Sequence, residues 1–342
     1  MKYDFLGTRK PDFENILLVL DKKKPKRHTL FEFFMNGTVY DAMSQGFVGK
    51  NDYMDNCRYI MNAYKNAGYD YTTIYGSDFH FPTADQEYIK SCSLNEGVLI
   101  TDRESFDKVK FEDANKADYS PFKILGEDLP EGMSIIAHGP GGVLENVIGM
   151  VGYDNLCYIL FDDPQLAEDI FTVVGENLLK YYTNCGKSKY VGAMLSNDDW
   201  GFNTQTMFSV DLMRKYVFPW HKRIVEAIHD SGRPALLHSC GFYNDIIEDV
   251  INDMKYDGRH SYEDGIEPVE QAYDKLNGRL AILGGIDVDF LCRSTPEEIK
   301  ARSRAMLERS EKNGGYALGS GNSIPDYVPP ESYFAMISAI YE

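Results

Sequence analysis

An imidazole and a thiol two residues apart at the end of an apolar strand are half of a zinc site. The run Leu236-Leu237-His238-Ser239-Cys240-Gly241 has that form. Side chains alternate across a strand, so His238 and Cys240 point the same way. A nitrogen beside a thiolate sulfur suits a borderline-soft cation such as zinc. Position adds to spacing, because the pair closes an apolar run and Gly241 follows where the chain turns away. The plainer reading is a buried thiol next to a hydrogen-bonded histidine, and spacing alone leaves both open. A zinc ion needs at least three protein ligands. Glu263, His260, Asp198, Asp199 and His138 are the other candidates. Glu263 follows the next strand and is the nearest of them, although it reads equally as an acid at a helix start before Asp264-Gly265. Asp198-Asp199 is either an acid–base pair or an N-cap cluster.

These groups share a place in a repeating pattern. Segments rich in β-branched and aromatic residues recur at 28–34, 71–77, 133–138, 190–197, 234–240, 256–261, 279–285 and 316–321. Helical patterns fill the gaps. Pro164 to Tyr182 follows the capping types Asp162 and Asp163; Asp211 to Asp230 carries Leu212, Val217, Ile224, Val225 and Ile228; Ser294 to Lys312 opens on Ser294-Thr295-Pro296-Glu297-Glu298. Alternation of strands and helices predicts a parallel sheet. Eight strands predict α/β architecture of one kind, a single (β/α)8 TIM barrel with an N-terminal extension, over residues 1–342. The alternative, an open dinucleotide-binding sheet, lacks its fingerprint: His138-Gly139-Pro140-Gly141-Gly142 is not GxGxxG.

In such a barrel the site lies at the C-terminal ends of the strands. Those ends hold Asp78 and His80, His138, Asn197-Asp198-Asp199-Trp200, His238 and Cys240, His260 and Glu263, Asp287 and Asp289, and Ser320 and Asn322. The composition is that of an ordered globular chain. Of 342 residues 43% are hydrophobic, and 35 Lys+Arg face 53 Asp+Glu for a net charge of −18. That balance excludes a nucleic-acid partner, which needs a basic surface. No apolar run is long enough to span a bilayer. The N-terminus lacks a signal-peptide core, and the six cysteines are scattered without a CxxC pair. Reduced thiols and a cytoplasmic location are therefore expected.

From about residue 130 onward the chain resembles the uroporphyrinogen decarboxylase superfamily. The matching features are His138-Gly139-Pro140-Gly141-Gly142, Phe161-Asp162-Asp163-Pro164, Asp198-Asp199-Trp200-Gly201 and Pro219-Trp220-His221-Lys222. They continue with His238-Ser239-Cys240-Gly241, Gly284-Gly285-Ile286-Asp287 and Gly319-Ser320-Gly321-Asn322-Ser323-Ile324-Pro325. The HxCG element is similar to that of the corrinoid-dependent methyltransferase branch, which includes the methylcobamide:coenzyme M methyltransferases and related O-demethylation enzymes.

The resemblance implies a (β/α)8 barrel with zinc in its mouth, held by an HxC pair, a later cysteine and an acid from the sixth strand. His238 and Cys240 match the pair, and Glu263 matches the neighbourhood of the acid. At the eighth strand this chain reads Gly321-Asn322, with no cysteine after Cys292. The implied metal set is His238, Cys240 and Glu263, completed by Asn322 or water. Asp198, Asp199, His138 and His260 are the candidate catalytic groups. The implied reaction moves a methyl group between a small ether, alcohol or thiol and cobalamin carried on a separate corrinoid protein. Fewer thiolates leave more positive charge on zinc, which leans toward an oxygen substrate. Two other expectations compete: a metal-free decarboxylase-like lyase working through Asp198, Asp199 or His138, and a non-catalytic barrel that binds a ligand or a corrinoid protein. The stretch Lys24 to Glu32 lacks the arginine-rich pattern suited to a polycarboxylate porphyrinogen.

Overall fold

The structure is a computed structural model and describes residues 3–47, 52–83, 94–95 and 97–341. Seven parallel strands form one sheet in chain order. They are β1 (Tyr71–Ile74), β2 (Ser134–His138), β3 (Val191–Asn197), β4 (Ala235–His238), β5 (Gly258–His260), β6 (Ala281–Leu283) and β7 (Tyr316–Ala317). Each is joined to the next by a crossover containing helix, the connection a parallel ladder requires. Strand residues such as Ile135, Leu195, Leu236, Leu237 and Leu283 are buried, as expected when helices cover the outside of the sheet. The result is a curled, TIM-barrel-like α/β wall.

Seven of the eight expected strands are present, each shorter than its sequence pattern. The eighth expectation, 28–34, is corrected in detail. That segment lies beside β7 through one parallel bridge, Leu30 to Leu318, with Phe31 N donating to Leu318 O at 2.8 Å and Leu318 N to Thr29 O at 2.9 Å. Toward β1 it meets side chains. The Tyr71 hydroxyl bonds both the N–H (2.7 Å) and the carbonyl (2.6 Å) of Glu32, and Thr73 Oγ1 donates to Phe33 O at 2.9 Å. These hydroxyls occupy the backbone groups that a ladder to β1 would use, so among the described residues the sheet stops at seven strands.

The helices follow their caps. Pro164–Cys185 starts on the Asp163 carboxylate, which accepts from Leu166 N, with proline in the first turn. Pro296–Ser310 starts on a capping box of Thr295 and Glu298. The single helix expected over 211–230 is two, Val210–Tyr216 and Phe218–Asp230. Pro219 lacks an N–H, and its ring would strike the carbonyl four residues back, so the helix breaks there. The break sets His221, Ile224, Val225 and Ile228 on one buried face.

Glu32 is fully buried at the seam beside β7. Ser320 N donates to its Oε1 at 2.6 Å, and Ser320 Oγ lies 2.8 Å from Oε2. Burial outweighs these bonds and pushes the carboxyl up to about 8. A raised folded pKa contributes stability that is fully present below the unfolded value and is lost as pH rises toward the folded one. The cost is about 1.4 kcal/mol per pH unit across that window. Glu32→Gln keeps an acceptor for Ser320 N and a donor for Ser320 Oγ. It should unfold at higher urea than wild type at pH 8, with the difference vanishing near pH 4.5. Parallel urea curves at both pH values check it; a constant difference would show that Glu32 is ionised throughout.

Candidate metal centre and mouth of the sheet

The site grows from strand register. Asn197 on β3 pairs with His238 on β4, and His238 pairs with His260 on β5. The ladder continues past the strand ends, with Asp198 N donating to His238 O at 3.0 Å and Ser239 N to His260 O at 2.8 Å. His238, Cys240 and Asp199 are thereby brought to one level. A His238 nitrogen, Cys240 Sγ and an Asp199 oxygen all lie within 4.8 Å of one another. Cys240 N donates to Asp199 Oδ1 at 2.8 Å, which ties the acid to the backbone of the HxC turn. The turn itself needs glycine: Gly241 has φ +81°, and a Cβ there would lie 2.0 Å from Gly201 O.

The protonation of His238 follows from its neighbours. His260 Nε2 lies 3.1 Å from the Ser320 carbonyl, which only accepts, so Nε2 carries the proton. Burial pushes His260 down to about 3, so its ring is neutral and Nδ1 is a lone pair. That lone pair lies 2.8 Å from His238 Nδ1, which must therefore donate. Burial, with His260 and Arg259 nearby, also holds His238 well below the ordinary imidazole range. His238 Nε2 is left unprotonated, an acceptor 3.5 Å from Cys240 Sγ, which is the tautomer a metal requires. Burial, followed by the neighbouring Asp199, holds the Cys240 thiol far above its usual range. Asn322 Nδ2 donates to that sulfur at 3.0 Å and favours the thiolate. The imidazole, thiol and carboxylate form an N/S/O donor set that suits zinc, and a bound cation would deprotonate the thiol.

The other expected residues fall around this set. Glu263 lies outside the 4.8 Å group, and its carboxyl is raised chiefly by burial, against a lowering by the nearby Gly241 backbone. The acid within that distance of His238 and Cys240 is Asp199, while Glu263 acts on the Cys240 thiol from farther off. Asn322 presents its amide nitrogen to sulfur, while its Oδ1 accepts from Ser323 N at 2.7 Å. Asp198 is fully buried and points the other way. Its oxygens accept from Leu144 N (3.0 Å) and Glu145 N (2.9 Å) at the start of helix Val143–Val151, and from His221 Nε2 (2.8 Å). His138 is half-buried between Phe33 and Tyr75, and desolvation pushes it down to about 4. Asp78 accepts from Asp118 N at 2.7 Å and His80 meets Tyr75, both apart from the donor set.

Three contributors were not named as site residues from sequence, although His221 stands in the Pro219-Trp220-His221-Lys222 feature. His221 anchors Asp198, Glu145 bonds Gly142 N and Asn197, and Phe33 packs on both His138 and His238. His221 had a signal, because it shares the apolar helical face of Ile224, Val225 and Ile228. Glu145 is pushed up to about 8 by burial and by Asp198 and Asp199.

A parallel barrel-like sheet with a metal-type donor set at its strand ends defines a TIM-barrel-like α/β protein with that donor set in its mouth. The family model described as Uroporphyrinogen decarboxylase (URO-D) matches residues 100–342, and the chain belongs to that family. It is 24% identical over 187 residues to the uroporphyrinogen decarboxylase of Methylococcus capsulatus, covering 54% of this chain and 51% of that protein. It is 22% identical over 204 residues to that of Dechloromonas aromatica, covering 56% and 53%. The chain spans about half the length of the curated relatives it matches. A solved structure of a methyltransferase from Methanosarcina mazei superposes with TM-score 0.67 at 15% identity, covering 96% of this chain and 97% of that one, which shows a shared fold. No helix among the described residues is long and apolar enough to cross a membrane.

Proposed function

We propose that the chain is a zinc-dependent methyltransferase that moves a methyl group between a small substrate and cobalamin carried on a separate corrinoid protein. We read residues 1–342 as one barrel, with segment 28–34 as its eighth stave. The observation that carries the function is the convergence of His238 Nε2, Cys240 Sγ and Asp199 within 4.8 Å, with the His238 lone pair set free by His260. Bound there, zinc would supply a Lewis acid to the oxygen or sulfur that bears or receives the methyl group.

The residues of the chain hold and orient. His238, Cys240 and Asp199 are the ligands, His260 fixes the His238 tautomer, and Asn322 steadies the sulfur. Asp198 holds the wall through helix Val143–Val151, and neutral His138 packs between Phe33 and Tyr75. A shared fold with a protein named methyltransferase supports this reading. The names of the curated relatives suggest porphyrinogen decarboxylation instead. The cavity beside the donor set argues against it, since Glu263, Asp287 and Asp289 line it with no lysine or arginine among the described lining residues and would repel a polycarboxylate.

The test is zinc-loaded protein mixed with cob(I)alamin and a panel of methoxylated and methylated compounds. Loss of cob(I)alamin absorbance should require the protein, and chelation should abolish it. Turnover that survives strong chelation would favour a metal-free reaction and overturn the proposal.

A further inference from the structure

The cavity at the mouth carries more information than its position. It measures about 610 Å³, and Glu263, Asp287, Asp289, Asn322, Phe34 and Tyr327 are among its lining residues. It adjoins the donor set directly, because Asn322 both lines it and donates to Cys240 Sγ at 3.0 Å. Its size is that of a small-molecule site.

Three carboxylates line this cavity, and among the described residues only one is in an ion pair. Asp289 pairs with Arg293 at 2.8 Å. Asp287 accepts backbone N–H groups only, from Phe290 (2.9 Å) and Asp264 (2.9 Å), which hold it in place without cancelling its charge. Glu263 stands near the Gly241 backbone. The buried Arg259 acts on Glu263 through its charge, but its guanidinium makes its hydrogen bonds to Ser239 O and Ser261 O and lies against the rings of Tyr243 and Tyr262. Two aromatic side chains stand at the rim, Phe34 at 51% and Tyr327 at 71% exposure. Ser323 is also on the wall. It is only 8% exposed, and its hydroxyl has no hydrogen-bond partner among the described residues. A buried hydroxyl without a partner marks a place where a polar ligand group is missing.

Carboxylates without counter-cations beside open aromatic faces form the recognition chemistry of an ammonium group. We infer that this cavity binds the cationic end of the substrate, a protonated or quaternary ammonium, while the methyl-bearing atom reaches the Asp199, His238 and Cys240 set. The inference rests on the proposed methyltransferase reading for the role of that set, but the cation preference itself does not depend on metal.

The experiment therefore uses chelator-treated full-length protein and no turnover. Choline and its neutral isostere 3,3-dimethyl-1-butanol are titrated separately and followed by ligand-observed NMR. Choline should bind about tenfold more tightly. Val288→Lys, which places a cation on the wall, should remove the preference, and Phe34→Leu should reduce it a few-fold. Equal binding of the two probes, or a preference that survives Val288→Lys, overturns the inference. A cation preference in a protein that fails to take up zinc would instead overturn the methyltransferase reading and leave the ammonium site standing.

Discussion

Cys240→Ala is expected to lower zinc affinity by a hundredfold to a thousandfold, and His238→Ala by a similar amount. A protein zinc site releases roughly 10–16 kcal/mol over its ligands, so losing one of about four costs on the order of 3–4 kcal/mol. The fold should tolerate the thiol deletion. The bond that anchors Asp199 comes from the backbone N–H of residue 240 and survives the substitution. His260→Ala should act more weakly. It removes the acceptor that keeps the proton on His238 Nδ1, an outer-shell loss worth about 10- to 100-fold in affinity. Competition against a chromophoric chelator ranks the three variants. One zinc retained per chain in both His238→Ala and Cys240→Ala would remove the metal from the proposal.

Asp198→Ala should destabilise the protein by about 3–5 kcal/mol, the range for deleting one partner of a buried hydrogen-bonded charge network. Both carboxylate oxygens are engaged, and three donors lose their acceptor together: Leu144 N, Glu145 N and His221 Nε2. The Gly142 backbone packs close against the carboxylate, since a Cβ there would sit 2.1 Å from Asp198 Cγ. His221 would retain only the ring-side bonds of its Nδ1, to Tyr256 at 2.8 Å and Ser196 at 3.4 Å. Asp198→Asn keeps the shape and one acceptor and should lose roughly half as much. Urea unfolding of the two variants checks this, and a loss below about 1 kcal/mol for the alanine would show that the helix start finds other acceptors.

The parallel strands were legible because their apolar runs are local. The first expected strand was legible as a segment but not as a ladder, since its pairing toward β1 depends on where the Tyr71 and Thr73 hydroxyls reach. The helix over 211–230 carried its own breaking signal in Pro219. The HxC pair was readable because two residues on one strand share a face whatever surrounds them. The acid that joins the pair was not. Glu263 was nearest by strand order, yet it lies outside the 4.8 Å group, whereas Asp199 is brought in by the N–H of Cys240.

The amino-acid sequence by itself determined which chemistry is available and at which ends of which strands it is placed. Periodicity, caps and side-chain alternation act over a few residues and need no partner. The tertiary structure alone decided which acid meets His238 and Cys240, why the His238 lone pair is free, and that Asp198 holds a helix start. Those outcomes depend on inter-strand register and on hydrogen bonds between residues 22 to 60 positions apart, such as His238 with His260 and His260 with Ser320. No local pattern encodes them, because each is settled only when neighbouring strands take their places in the sheet.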